Sequence, residues 1–135
     1  MNDWSIWLAI GSGGAIGALL RGLIFRGVEK ASSGDLDGFW AKQGSARSTL
    51  IVNILGSLFL GVLLGSQAGS TVEWSAPTRI FWTTGVCGAL TTFGTLCVDV
   101  VGFARAGQRI RGGGVLAAHL ILGISAFLLG SAVAG

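Results

Sequence analysis

Residues 48–72 read STLIVNILGSLFLGVLLGSQAGSTV, a run without a single charged side chain. A membrane span needs roughly 20 mostly apolar residues, with about 17 to 25 workable. Three further intervals behave the same way. No charge falls between Asp3 and Arg21, none from Ile80 to Val98, and none from Gly112 to Gly135. All four lie in or very near the spanning window, so the chain reads as an all-α membrane protein with four transmembrane helices. Composition agrees: of 135 residues, 51% are apolar and only 11% charged, and the mean hydropathy is +0.73. Almost nothing is left over for a water-soluble domain. The expected organisation is a single four-helix transmembrane domain over residues 1–135, with helices at about 4–25, 48–66, 78–103 and 115–133.

The ends and connections fit that plan. The N-terminus, Met1-Asn2-Asp3-Trp4, lacks the basic region of a cleavable signal, so the first span is expected to stay. Trp4 and Trp7 suit the headgroup layer at one end of helix one, as Phe81 and Trp82 do for helix three. A polar segment over about 26–47 has room for a short surface helix around Phe39 and Trp40. Cys87 and Cys97 fall inside the third span and cannot frame a disulfide-stapled fold; with no histidine nearby they read as packing residues rather than metal ligands. The isoelectric point near 9.5 does not point to nucleic acid, because the basic residues sit in the connecting segments. Glycine occurs 24 times, mostly within the spans. Gly13-x-x-x-Gly17 and Gly61-x-x-x-Gly65 have the spacing of a close helix crossing, and so many glycine faces imply tight packing that extends to a second subunit.

The basic residues are distributed very unevenly. Arg21, Arg26, Lys30, Lys42 and Arg47 lie at or between helices one and two, and Arg105, Arg109 and Arg111 between helices three and four. Only Arg79 belongs to the opposite side. The positive-inside rule then places loops 26–47 and 104–114 in the cytoplasm of a multi-pass cell-membrane protein, with both termini outside.

Polar groups within hydrocarbon are expensive and mark function by default. Asn53 sits in the middle of Leu50-Ile51-Val52-Asn53-Ile54-Leu55. Its amide could hold an anion through its NH₂ group, or fix packing through an interhelical hydrogen bond. The centre of helix three is Gly85-Val86-Cys87-Gly88-Ala89-Leu90-Thr91-Thr92-Phe93-Gly94-Thr95. Non-helical backbone at membrane depth is tolerated where it is buried in protein or lines a cavity. A break here would free carbonyls for a cation and turn hydroxyls toward a pathway. The plainer reading is a threonine-rich helix whose hydroxyls bond back to their own carbonyls, which leaves the clustering between glycines unexplained. Arg21 closes helix one, where snorkelling to the interface is the ordinary explanation. His119 is a lone histidine, read as a packing or hydrogen-bonding residue rather than a proton relay, and Asp99 and Ser125 are similarly open. No nucleophile–base pair, metal-ligand cluster or phosphate-cradling loop appears, which argues against an enzyme.

Three motifs together resemble a known family. Gly13-Gly14-x-x-Gly17-Ala18-x-x-Arg21, Thr49-Leu50-x-Val52-Asn53-x-x-Gly56 and Gly88-x-x-Thr91-Thr92-Phe93-x-Thr95 resemble, in order and on the expected helices, the motifs of the CrcB/Fluc fluoride channel family. The resemblance implies a dimer of four-helix subunits inserted in opposite (antiparallel) orientations, with two fluoride pores at the interface. It implies a structural sodium ion (Na+) held by backbone carbonyls of the broken third helices, here those of Gly88 and Thr91. Asn53 would donate to fluoride along the pore, with Thr92 and Thr95 as hydroxyl donors. Phe93 would present its positive ring edge to the dehydrated anion, and Arg21 would attract anions at the aqueous approach.

This chain departs from the family pattern at several places. A Thr-Thr-Phe-Ser-Thr-Phe run is common there, whereas Gly94 and Leu96 stand at its Ser and second Phe. The aromatic partner after Arg21 is Gly22. For the polar track that helix four usually supplies, this chain offers His119 and Ser125. These departures and the eight-to-one charge bias suggest one half of a heterodimer with an opposite-topology paralogue, rather than a homodimer. The implied role is passive escape of cytosolic fluoride, lowering its toxicity. The rival readings are a small dual-topology exporter of organic cations, for which the embedded carboxylate would have to be Asp99, and a non-conducting partner subunit.

Overall fold

The computed structural model describes residues 3–32, 44–68, 70 and 73–135; the expected surface helix around Phe39 and Trp40 lies outside them. The described residues form helices α1 (Asp3–Ser32), α2 (Gly44–Ala68), α3 (Ala76–Ile80), α4 (Gly88–Leu90), α5 (Phe93–Arg105) and α6 (Arg109–Ala134), with a π-helical segment over Phe81–Cys87 joining α3 to α4. Among the described residues, four stretches are long and apolar enough to cross a membrane: Trp4–Ala31, Ser45–Ala68, Ala76–Arg105 and Arg109–Ala134. The third is thus composite.

Every helix runs past the boundaries that hydropathy suggests, for a physical reason. Loss of hydropathy marks the edge of the hydrocarbon, not the end of a helix. At about 1.5 Å per residue, α1 is about 45 Å long, against a hydrocarbon core of about 30 Å. Its last turns, with Arg26, Glu29 and Lys30, therefore continue as helix beyond the apolar layer. The third span starts at Ala76 rather than Thr78 because Ser75 caps it: the Ser75 side chain accepts the Thr78 N–H, and Pro77 fits the first turn, where no N–H is needed. The turn from α5 to α6 is set by Gly107, whose φ of 75° suits a residue without Cβ. The Gln108 N–H reaches the Phe103 carbonyl at 2.8 Å and the Gly107 N–H reaches that of Ala104 at 3.1 Å. That pair closes the helix as a Schellman motif and lets α6 begin at Arg109, six residues before its apolar run.

The glycine spacings show which helices touch. A Cβ on Gly13 would meet Phe81 O and Gly85, and one on Gly17 would meet Val86 O and Ala89. The α1 and third-span backbones therefore lie in direct contact, running in the same direction. On the other side of the bundle, Gly61 faces the Phe127 carbonyl, Gly65 that of Ser131, and Gly130 that of Leu58. Here α2 and α6 run parallel to one another. Gly112 abuts Val100 and Phe103, so α5 and α6 are antiparallel. The result is an up-down-up-down bundle. Its basic end gathers Arg26, Lys30, Arg47, Arg105, Arg109 and Arg111, with Arg79 at the other.

Near the basic end, Ala46, Leu96, Phe103 and Val115 form a buried apolar cluster, with Val100 packed against it. Asp99 is buried beside α2 and accepts from the Ser45 hydroxyl at 2.7 Å and from that of Thr49 at 3.1 Å. The Thr49 hydroxyl also lies 2.8 Å from the Ser45 carbonyl, so its one proton is shared. Paired in this way, a carboxylate is tolerated below the membrane surface.

Candidate functional site

The centre of the third span departs from helical geometry at two residues. α4 ends at Leu90; Thr91 has φ −77° and ψ 156°, Thr92 has φ −147° and ψ 111°, and α5 starts at Phe93. Extended backbone at this depth needs partners for its polar groups, and they come from two sources. Asn53 of α2 supplies the first. The Thr92 N–H donates to Asn53 Oδ1 at 2.8 Å, and Asn53 Nδ2 donates to the Thr92 carbonyl at 3.2 Å. The side chain thus pairs with one residue's backbone as a neighbouring strand would. Because the Thr92 N–H can only donate, this pairing also fixes which way the amide points.

The threonines themselves are the second source. The Thr91 N–H and hydroxyl both donate to the Cys87 carbonyl at 3.0 Å, closing α4. Thr92 caps α5: its Oγ1 accepts the Thr95 N–H at 3.3 Å and lies 2.9 Å from the Thr95 hydroxyl. One consequence concerns the carbonyls. In a continuous helix the Thr92 N–H would reach the Gly88 carbonyl and the Thr95 N–H that of Thr91. Here both donors go elsewhere, so both carbonyls lose their helical partners.

A cavity of about 380 Å³ opens beside this segment, between α2, the third span and α6. Asn53, Gly88, Thr91, Thr92 and Phe93 all line it, and so does His119 of α6. Phe93 is 75% exposed, a large apolar ring at mid-span that the chain's own core does not cover. A second pocket, of about 400 Å³, is lined by Arg21, Phe25, Thr92 and Thr95, with Ala18 and Gly22. The seven residues singled out in the sequence thus fall into two adjoining groups. Thr92 belongs to both and stands between the Arg21 pocket and the Asn53 cavity.

Other contributors are legible only in three dimensions. A Cβ at Gly56 would collide with the Thr91 methyl group, so this glycine admits the extended segment against α2. Ser57, Thr83 and Cys87 also line the cavity. Leu96, at the position where a second phenylalanine is common, borders the cavity and is 5% exposed, within the apolar cluster. His119 donates from Nδ1 to the Val115 carbonyl at 2.8 Å.

The family described as "CrcB-like protein, Camphor Resistance (CrcB)" matches residues 8–131. Among curated relatives, a protein of Nitrobacter winogradskyi named "Fluoride-specific ion channel FluC" is 31% identical, covering 94% of this chain and 93% of its own length. A protein of the same name from Psychrobacter cryohalolentis is 38% identical over 92% of each chain. One from Clostridium novyi is 32% identical over 98% of this chain and 96% of its own. The match reaches into all four spans and takes in every residue of both pockets. This chain belongs to the CrcB family.

Proposed function

We propose that this chain is a subunit of a fluoride-selective ion channel through which cytosolic fluoride leaves the cell passively. The setting of Phe93 carries the proposal. It is an uncovered ring at mid-span beside a cavity lined by hydrogen-bond donors, in a chain whose relatives are named as fluoride-specific channels. Fluoride binds water strongly, so a narrow route must replace that hydration with donors. Arg21 draws the anion into its pocket. The Thr95 and Thr92 hydroxyls carry it inward. The Asn53 amide keeps one N–H beyond that on the Thr92 carbonyl, and Phe93 offers its positive ring edge. Hydrogen fluoride crosses lipid as a neutral acid and ionises in the more alkaline cytosol. A passive path for the trapped anion detoxifies it without ATP. Asp99, which a cation exporter would need, is bound to Ser45 and Thr49 and does not line the cavity. Fluoride and chloride efflux from vesicles test this reading directly.

The working channel is a dimer whose second subunit is inserted the other way up. In support, the side of the third span bearing Gly88, Phe93 and Gly94 is exposed, and Gly11 and Gly14 of α1 have nothing within 4 Å of a Cβ. Small residues left uncovered in a span favour close approach of another helix. In this assembly the Thr91–Thr92 interruption is the break of the third span, and a structural sodium ion lies between the two subunits. The carbonyls of Gly88 and Thr91 would hold it. They suit a hard cation, which takes oxygen ligands, and both lack their helical donors. When bound, the ion supplies a fixed positive charge that joins the two third spans.

The basic end faces the cytoplasm, and the asymmetry of charge fixes one orientation. The opposed subunit is accordingly a different chain. Reporter tags on each terminus, read from both sides of intact cells, should all be found outside. Equal labelling on the two sides would leave a homodimer of dual orientation instead.

A further inference from the structure

A hydroxyl within a membrane-spanning helix ordinarily bonds back to a carbonyl three or four residues earlier. Ser12 does so to Leu8, Thr49 to Ser45, Ser66 to Leu63 and Thr83 to Arg79. Ser57 of α2 does not, and its hydroxyl has no hydrogen-bond partner among the described residues. Nor is that oxygen sealed in. Among the described residues, the buried side-chain polar atom left without a partner is His119 Nε2, whereas Ser57 is only partly buried. The open space beside it is the cavity that Asn53, Thr92 and Phe93 also line. Across from it stands Gly123 of α6, where a Cβ would come within 3.6 Å of Ser57 Oγ. Glycine there leaves room around the hydroxyl.

The other hydroxyls of the cavity are already engaged. Thr83 and Thr91 donate to the Arg79 and Cys87 carbonyls, and Thr92 is paired with Thr95. Asn53 differs. Its Nδ2 carries two N–H groups, of which one goes to the Thr92 carbonyl at 3.2 Å and the other has no partner among the described residues. Asn53 and Ser57 are four residues apart, so they are neighbours on one face of α2 with Cβ atoms about 5–6 Å apart. Donors reach a charged acceptor at about 2.7–2.9 Å, so one small anion fits between the two. Resting on the fluoride reading of this cavity, we propose that Ser57 is a fluoride ligand, its hydroxyl and the second Asn53 N–H holding the ion together. Both groups donate hydrogen bonds and keep their protons, so the ion passes as fluoride and the route stays passive. α6 brings Leu116, His119 and Leu120 to the cavity, none with a hydroxyl, so α2 supplies the donor on that side.

The test is fluoride efflux from liposomes bearing the complex purified through a tag on this chain, measured over a series of internal fluoride concentrations. Ser57→Ala should raise the half-saturating fluoride concentration about tenfold, the scale of one hydrogen bond to a charged group. Ser66→Ala, which removes a hydroxyl of the same helix that is already bonded to its own backbone, should leave that concentration unchanged. An unchanged value in Ser57→Ala overturns the proposal and leaves the fluoride reading standing. So does a slower maximal rate at an unchanged half-saturating concentration, which would make Ser57 a packing residue. Absence of selective fluoride flux in the wild type would instead sink the fluoride reading, and this proposal with it. Should the variant conduct too little to be titrated, calorimetry with sodium fluoride against sodium chloride on monodisperse complex decides. Weaker fluoride binding by Ser57→Ala supports the ligand role, and wild-type binding refutes it.

Discussion

Replacing Asn53 with alanine lowers fluoride flux per assembled channel about 100-fold. The change removes both hydrogen bonds to Thr92 at once. An unpaired buried polar group costs about 1–3 kcal/mol, and about 3 kcal/mol corresponds to roughly 100-fold in a rate. The chain can relieve the loss by letting the Thr92 N–H return to the Gly88 carbonyl, which extends α4 through the interruption. That repair fills a carbonyl that the proposed sodium site would use and moves the Thr92 hydroxyl away from the boundary between the two pockets. Asn53→Asp should fall between wild type and alanine: an ionised aspartate still accepts the Thr92 N–H but has nothing to donate to its carbonyl. Efflux measured with a fluoride electrode, normalised to protein eluting as a monodisperse peak, gives the comparison. If assembled Asn53→Ala protein conducted at the wild-type rate, Asn53 would be helix-packing material and no part of a pathway.

The second large effect concerns folding. Leucine at Gly61 or Gly17 should eliminate monodisperse protein altogether. Each glycine lets a backbone rest on the carbonyl of another helix, Phe127 for Gly61 and Val86 for Gly17. A rigid main chain cannot move aside as a long side chain would. Overpacking a close contact costs about 1–3 kcal/mol or more, set against a total stability of about 5–15 kcal/mol. Separating the helices also loses the neighbouring contacts at Gly65 and Gly130, or at Gly13 and Gly85. Gly27→Leu is the control, since nothing lies within 4 Å of a Cβ there, and it should elute as wild type does. Normal elution of Gly61→Leu would mean that α2 and α6 do not meet as described.

The four spans were legible because the signal is composition itself: an interval without charge as long as a bilayer is thick has few other uses. Helix ends were not, since Arg26 and Lys30 are compatible with helix once they lie beyond the hydrocarbon. The glycine spacings indicated close crossings but not their partners, and nothing in Gly13 or Gly61 says which span it meets. Asn53 shows the same limit. Its amide was equally fit for an anion or for a neighbouring helix, and only the register of α2 against the third span brings it to the Thr92 backbone. The π-helical segment over Phe81–Cys87 has no motif of its own; it lies where Gly85 meets Gly13, a contact between residues 72 positions apart in sequence. His119 divides neatly. A bond to a carbonyl one turn back is local and could have been anticipated, whereas its place beside the cavity depends on how α6 packs against α2 and α5.

The account rests on one claim, that this chain helps to form a selective path for fluoride. It is tested most directly by efflux from liposomes bearing the complex purified through a tag on this chain, with whatever subunit accompanies it. With valinomycin present to carry the balancing potassium, the account predicts rapid loss of trapped fluoride and none of trapped chloride above protein-free vesicles. Retention of fluoride by vesicles containing monodisperse complex, or loss of chloride at a comparable rate, would contradict it.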